Sequence, residues 1–136
     1  MHRRLLLLGT PALTITAGCA SAKKAYHRAS EDLADAVIGY HDGLRTGELE
    51  RSIKFIATAD RPAFFDACAK LAKERRYTDA RVGATDFPQG ASEAVVTVTR
   101  SYYLTNELIE KQETVNQTWL WKAKELRWQL KWDGKP

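Results

Sequence analysis

Thiols are scarce in this chain: its 136 residues contain two cysteines, Cys19 and Cys68. Three histidines add no ligand spacing to them, so no metal site is expected, and no residue set calls for a cofactor. Long apolar runs are missing too. Leu5–Gly18 passes fourteen residues without a charge, whereas a bilayer-spanning helix needs about 20 apolar residues. A strong excess of one charge is also lacking. The net charge of +4 is small and mixed in sign, which makes nucleic acid a poor partner. Neither an internal repeat nor a low-complexity segment interrupts the chain.

The N-terminus carries the most specific pattern. Met1-His2-Arg3-Arg4 is basic, Leu5–Gly18 is a short apolar core broken by Pro11, and small residues close it. That is the order of a secretory signal. Thr16-Ala17-Gly18-Cys19 then resembles the lipobox of bacterial lipoproteins. The resemblance implies cleavage between Gly18 and Cys19, with a diacylglycerol on the Cys19 sulfur and a further acyl chain on its amine. An ordinary cleaved signal with an incidental cysteine is the competing reading. Ala20 stands where aspartate would imply inner-membrane retention, so the implied location is the periplasmic face of a membrane, outer rather than inner.

Three segments follow: a signal peptide (1–18), a lipidated tether (19–23) reaching about 20 Å when extended, and one domain (24–136). The leader removes two of the 21 cationic residues and none of the 17 acidic ones, leaving +2. Only Cys68 then remains as a thiol, so no internal disulfide can form.

The domain opens with helical periodicity. Tyr26, Ala29, Leu33, Val37, Tyr40 and Leu44 share about one third of a helix surface, opposite Glu31, Asp32, Asp35 and Asp42. Gly47 is the expected stop. A second helix is read from Glu48 to about Ala57. A third is capped by Asp60, carries Pro62 in its first turn, and has Phe64, Cys68 and Leu71 as its apolar row. From Tyr77 the period becomes two. Four strands are expected at 77–87, 92–104, 109–121 and 125–133, with Pro88-Gln89-Gly90 as a turn. Facing pairs are expected at Val96–Gln117, Val98–Val115 and Arg100–Glu113. The closing hairpin is expected to turn over Lys122–Glu125, pairing Trp121 with Leu126, Trp119 with Trp128, Gln117 with Leu130 and Val115 with Trp132.

The fold class is therefore α+β, with three N-terminal helices packed on a curved four-stranded antiparallel sheet. The long first helix, "RTGELERSIKFI" and the closing hairpin "TWLWKAKELRWQLKW" resemble the NTF2-like (SnoaL-like, cystatin-like) superfamily over about residues 24–133. A helix-pair-then-sheet fold of small outer-membrane assembly lipoproteins ranks second. The NTF2-like resemblance implies a cone with a pocket between the first helix and the inner sheet face. Tyr40, His41, Arg100, Tyr102, Glu113, Gln117, Trp119 and Trp128, with Val96 and Leu130, would line it.

Gln117 is the oddity, a polar residue on an apolar face. It needs a hydrogen-bond partner, with Tyr40 the first choice, or a ligand. If the amide is only a burden, Gln117→Leu stabilises the protein. Arg100 and Glu113 read as an ion pair closing the sheet end, or as an anion clamp and a base. Tyr40-His41-Asp42 cannot converge, because adjacent helical residues point about 100° apart. Cys68 reads as a small core residue, and the four tryptophans as core, with Trp132 the most accessible. No catalytic residue is assigned. The expected function is a non-enzymatic binding or assembly module of the cell envelope, held to the membrane and meeting an envelope protein. The alternative is binding or turnover of a small hydrophobic ligand inside the cone.

Overall fold

The computed structural model describes residues 17–136, with side chains from residue 31 onward except Gln89 and Ala91. The leader features at residues 1–16 and the side chains of Cys19, Tyr26 and Ala29 lie outside that description. Helix α1 spans Ala17–Thr46, about 45 Å at 1.5 Å per residue. It takes in Cys19–Lys23, so the expected tether is helical and rises only about 7.5 Å instead of reaching extended. Leu33, Val37 and Tyr40 are buried together with Ala36, while Glu31, Asp32 and Asp35 face water. Gly47 ends the helix in the left-handed region at φ +79°.

Helix α2 is a single turn, Leu49–Ile53, half the expected length. It presses on α1 hard enough to fix its position. Ser52 Oγ donates to the Tyr40 carbonyl at 2.6 Å, and a Cβ on Gly43 would collide with Ser52 and crowd the Glu48 carbonyl. The chain then tightens through i→i−3 bonds at Phe55 and Ile56 into a 3-10 turn, Thr58–Asp60. Helix α3, Arg61–Glu74, begins with Pro62 in its first turn as expected, but Asp60 makes no side-chain cap bond. Phe64 and Cys68 are its buried residues. No loop follows: Glu74 is the last helical residue and Arg75 the first of the sheet.

The strands are β1 (Arg75–Asp86), β2 (Pro88–Ala91), β3 (Glu93–Leu104), β4 (Glu110–Lys122) and β5 (Arg127–Leu130). Four form an antiparallel sheet in the order β1-β3-β4-β5. The domain is thus α+β, with its helices preceding the sheet. Residues 88–90 are not a bare turn but belong to β2, with Gly90 at φ +72°. The β3–β4 register has Val96 opposite Gln117, Val98 opposite Val115 and Arg100 opposite Glu113, matching the sequence reading.

The last hairpin differs. Trp121 faces Trp128 and Trp119 faces Leu130, two residues from the expected pairing. The turn occupies residues 123–126, with Leu126 at φ +52° and 77% exposed. A two-residue shift leaves the paired side chains on their expected face, while Leu126, expected opposite Trp121, falls in the turn. Strand β5 ends at Leu130, so the pair expected between Val115 and Trp132 does not form within the ladder. Strand β1 has irregularities at Tyr77/Asp79 and Val82/Thr85. Gly83 sits in the second, where a Cβ would lie 3.2 Å from the Thr97 carbonyl.

One sheet face carries the core: Val96, Val98, Trp119, Trp128 and Leu130 pack with Leu33, Val37, Tyr40 and Phe64. The other face is polar, with Thr97 bonded to Asn116 and Thr99 to Thr114. Among the described residues, no helix is long and apolar enough to cross a membrane.

Candidate functional site

The space between α1 and the sheet is filled. Tyr40, Trp119 and Trp128 are at most 1% exposed. Tyr40 stands edge-on to Trp119, with ring centroids 6.0 Å apart. One open cleft, of about 630 Å³, lies between the end of α1, α3 and the start of β1; a larger one, of about 800 Å³, lies between α3 and the inner sheet face, bordered by Lys131–Pro136. Of the residues expected to line a pocket, Arg100, Glu113, Gln117 and Leu130 reach this cleft. Tyr40, His41, Val96, Trp119 and Trp128 lie beneath it in the core. Tyr102 stands aside, its ring under the Arg75 guanidinium at 4.3 Å.

A charge cluster forms one end of the cleft. Glu113 Oε1 accepts from Arg100 Nη2 at 2.6 Å and from the Tyr77 hydroxyl at 3.2 Å. Its Oε2 accepts from Arg75 Nη1 at 3.1 Å. The Arg100 guanidinium lies 4.8 Å over the Tyr77 ring, and Tyr77 meets Tyr102 edge-on at 6.1 Å. The expected Arg100–Glu113 pair is thus half of a four-sided arrangement. Burial opposes ionisation of Glu113, but Arg100 and Arg75 outweigh it and hold the carboxyl below its ordinary value. Arg100 also donates from Nη1 to the Pro136 backbone oxygen at 2.9 Å.

Gln117 forms the middle of the wall. Its partners are not Tyr40 but His41 Nε2 and Trp119 Nε1, each 3.3 Å from Oε1. The indole can only donate, so the oxygen faces both groups and His41 carries its proton on Nε2. The Tyr40 hydroxyl is buried with no partner among the described residues. The amide is therefore structural, and the idea that Gln117→Leu stabilises the fold is reversed. That change strands two buried donors, each worth about 1–3 kcal/mol, against a smaller gain from apolar burial. A net loss of about 2 kcal/mol is expected, read as a lower urea midpoint at unchanged m.

None of these groups is poised for proton transfer near neutral pH. Burial, then the Arg100 charge, pulls His41 down to about 4. Burial pushes Tyr40 and Tyr77 up. Cys68, 7% exposed, is pushed up to about 11 by burial, so it is an inert thiol. Among the described residues no group of three His, Cys, Asp or Glu side chains is placed to hold a metal ion.

Arg75, Tyr77 and Trp132 belong to the site without having been expected there. Arg75 falls at the helix–strand junction, where neither period applies. The irregularity after Tyr77 breaks the alternation that would have placed it on the inner face. Trp132 was singled out as the accessible tryptophan, and it does line the cleft. Comparison with known proteins finds no matching family model, no matching curated protein and no matching solved structure.

Proposed function

We propose that this chain is a lipoprotein anchored through Cys19 on the periplasmic face of a membrane. Its domain, NTF2-like in plan, acts there as a non-enzymatic binding module whose ligand enters the cleft between α3 and the sheet. One observation carries the reading. An open cleft of about 800 Å³ is lined in part by Glu113, whose carboxyl its arginine partners hold below its ordinary value, and by Gln117, while the His41 imidazole beneath it stays neutral down to about 4. Enzymes that move protons need a group with a pKa near the working pH. A recognition site needs charged and polar groups held in fixed geometry, and Arg100, Glu113 and Gln117 are so held. The volume falls within the usual range for small-molecule sites, about 300–1,000 Å³.

Two measurements test the two halves of this reading. Cys19→Ser is expected to abolish acylation and maturation, so that the mature acylated form vanishes from the envelope fraction. Envelope association undiminished in that variant would end the lipid-anchor assignment. Native mass spectrometry of protein extracted in mild detergent is expected to give a chain starting at Cys19, with its lipid mass and one retained small molecule. Chains uniformly lacking any retained molecule would end the binding assignment.

A further inference from the structure

The cleft wall is short of acceptors. Among the described residues, four buried side-chain polar atoms have no hydrogen-bond partner within the protein. Three of them are N–H donors of residues lining this cleft: Arg75 Nε, Arg100 Nε and Trp132 Nε1. Such groups are costly to leave unbonded. The Arg100 side chain is 93% buried on the 7% exposure it retains, and Nη1 is satisfied only by a backbone oxygen of the irregular 131–136 segment. Besides that bond, the segment is held by Lys131 N–H on the Thr118 carbonyl and by Trp132 packed on Phe64 and the core. The Pro136 oxygen therefore marks where an acceptor sits well.

Charge narrows the ligand. Within the Arg75–Arg100–Glu113 cluster two guanidiniums face one carboxylate, so a monoanion seated on Arg100 in place of the Pro136 oxygen balances the three side chains. Along the cleft the lining turns apolar, through Leu71, Val115 and Leu130. A small polar anion would leave that surface uncovered, whereas a hydrocarbon chain would bury it.

We infer that the cleft binds a medium-chain aliphatic monocarboxylate. Its carboxylate replaces the Pro136 oxygen on Arg100, and its chain lies along Leu71, Val115 and Leu130. The inference rests on the reading of the domain as a binding module and names what it takes. A guanidinium matches a carboxylate through paired N–H donors, and displacement of Pro136 exposes the edge that receives it.

The test uses the full acylated chain in mild detergent, incubated with decanoate, decanol or decyltrimethylammonium and weighed by native mass spectrometry. One decanoate per chain is expected, with no adduct from the other two. Arg100→Gln is expected to lower decanoate binding about tenfold, the scale of a lost charge-assisted bond. Leu71→Glu, at a half-exposed position, tests the same site without touching the charge cluster and is expected to lower binding comparably. Equal binding of decanol and decanoate overturns the inference, as does undiminished decanoate binding in folded Leu71→Glu. Binding of a peptide ending in a free carboxylate, with no binding of decanoate, overturns it in favour of a protein partner. A different molecule retained from the cell, with decanoate refused, ends this inference alone. Refusal of every probe by a chain that retains nothing ends the binding-module reading as well.

Discussion

Replacing Trp119 by alanine is expected to remove about 4 kcal/mol of stability, the range for truncating a large buried aromatic side chain. The residue is fully buried and joins three parts of the domain. Its ring stands edge-on to Tyr40 of α1 at 6.0 Å and to Phe55 beyond α2 at 5.8 Å. Its indole N–H is one of the two donors on Gln117. Truncation opens a cavity between α1 and the sheet that the rigid strand pairing cannot close. A domain of this size is stabilised by roughly 5–15 kcal/mol, so much of the margin goes. Urea unfolding followed by circular dichroism measures the effect. Trp132→Ala, at a half-buried site with no indole hydrogen bond, is expected to lose less than half as much. Equal losses at the two positions would show that the core is not centred where the packing places it.

Acidification from pH 6.5 to 4 is expected to weaken the fold by about 3 kcal/mol through His41 alone. The folded imidazole, nearly inaccessible and facing the Arg100 charge, stays neutral down to about 4. In the unfolded chain it takes a proton near its ordinary value of 6.5. Between those values the unfolded state binds more protons, so stability drops as the pH is lowered through this window and is full above it. The Gln117 bond and the Asp42 charge favour the protonated ring, but burial and Arg100 outweigh them. Glu113 acts in a separate, lower window. Its folded carboxyl is held below the ordinary value, so its contribution persists above that value and is lost only on further acidification. His41→Leu should flatten the profile between pH 6.5 and 4 and keep the decline below it. A variant retaining the full slope would place the acid sensitivity elsewhere.

The parts of this fold that the sequence displayed are those where one face of an element is buried. The β3–β4 register follows from Val96 and Val98 meeting Gln117 and Val115, since a one-residue slip would bring core residues into water. Arg100 opposite Glu113 follows from the same register. The closing hairpin was legible only modulo two. Alternation cannot distinguish Trp119 facing Trp128 from Trp119 facing Leu130, and residues 123–126 offer no glycine or asparagine to mark the turn. The short α2 escaped because Leu49, Ile53 and Ile56 keep helical spacing, although the backbone tightens after Ile53. The cleft was the least legible feature. It depends on α3 standing off from the sheet beside Gln117 and on a terminal segment with no period at all. The pocket residues are chosen by face, and of them Arg100, Glu113 and Gln117 line the cleft. Depth separates them from Tyr40, Trp119 and Trp128, and a one-dimensional pattern does not encode depth.

The missing linker between α3 and β1 ties the roof of the cleft directly to the charge cluster at its end. The helix continues into Arg75, and Thr105 bolts that joint, its N–H reaching the Glu74 carbonyl at 3.0 Å and its hydroxyl the Lys73 carbonyl at 2.9 Å. The Arg75 guanidinium in turn holds Glu113, so one peptide bond separates the end of the helix from a residue that fixes the carboxylate.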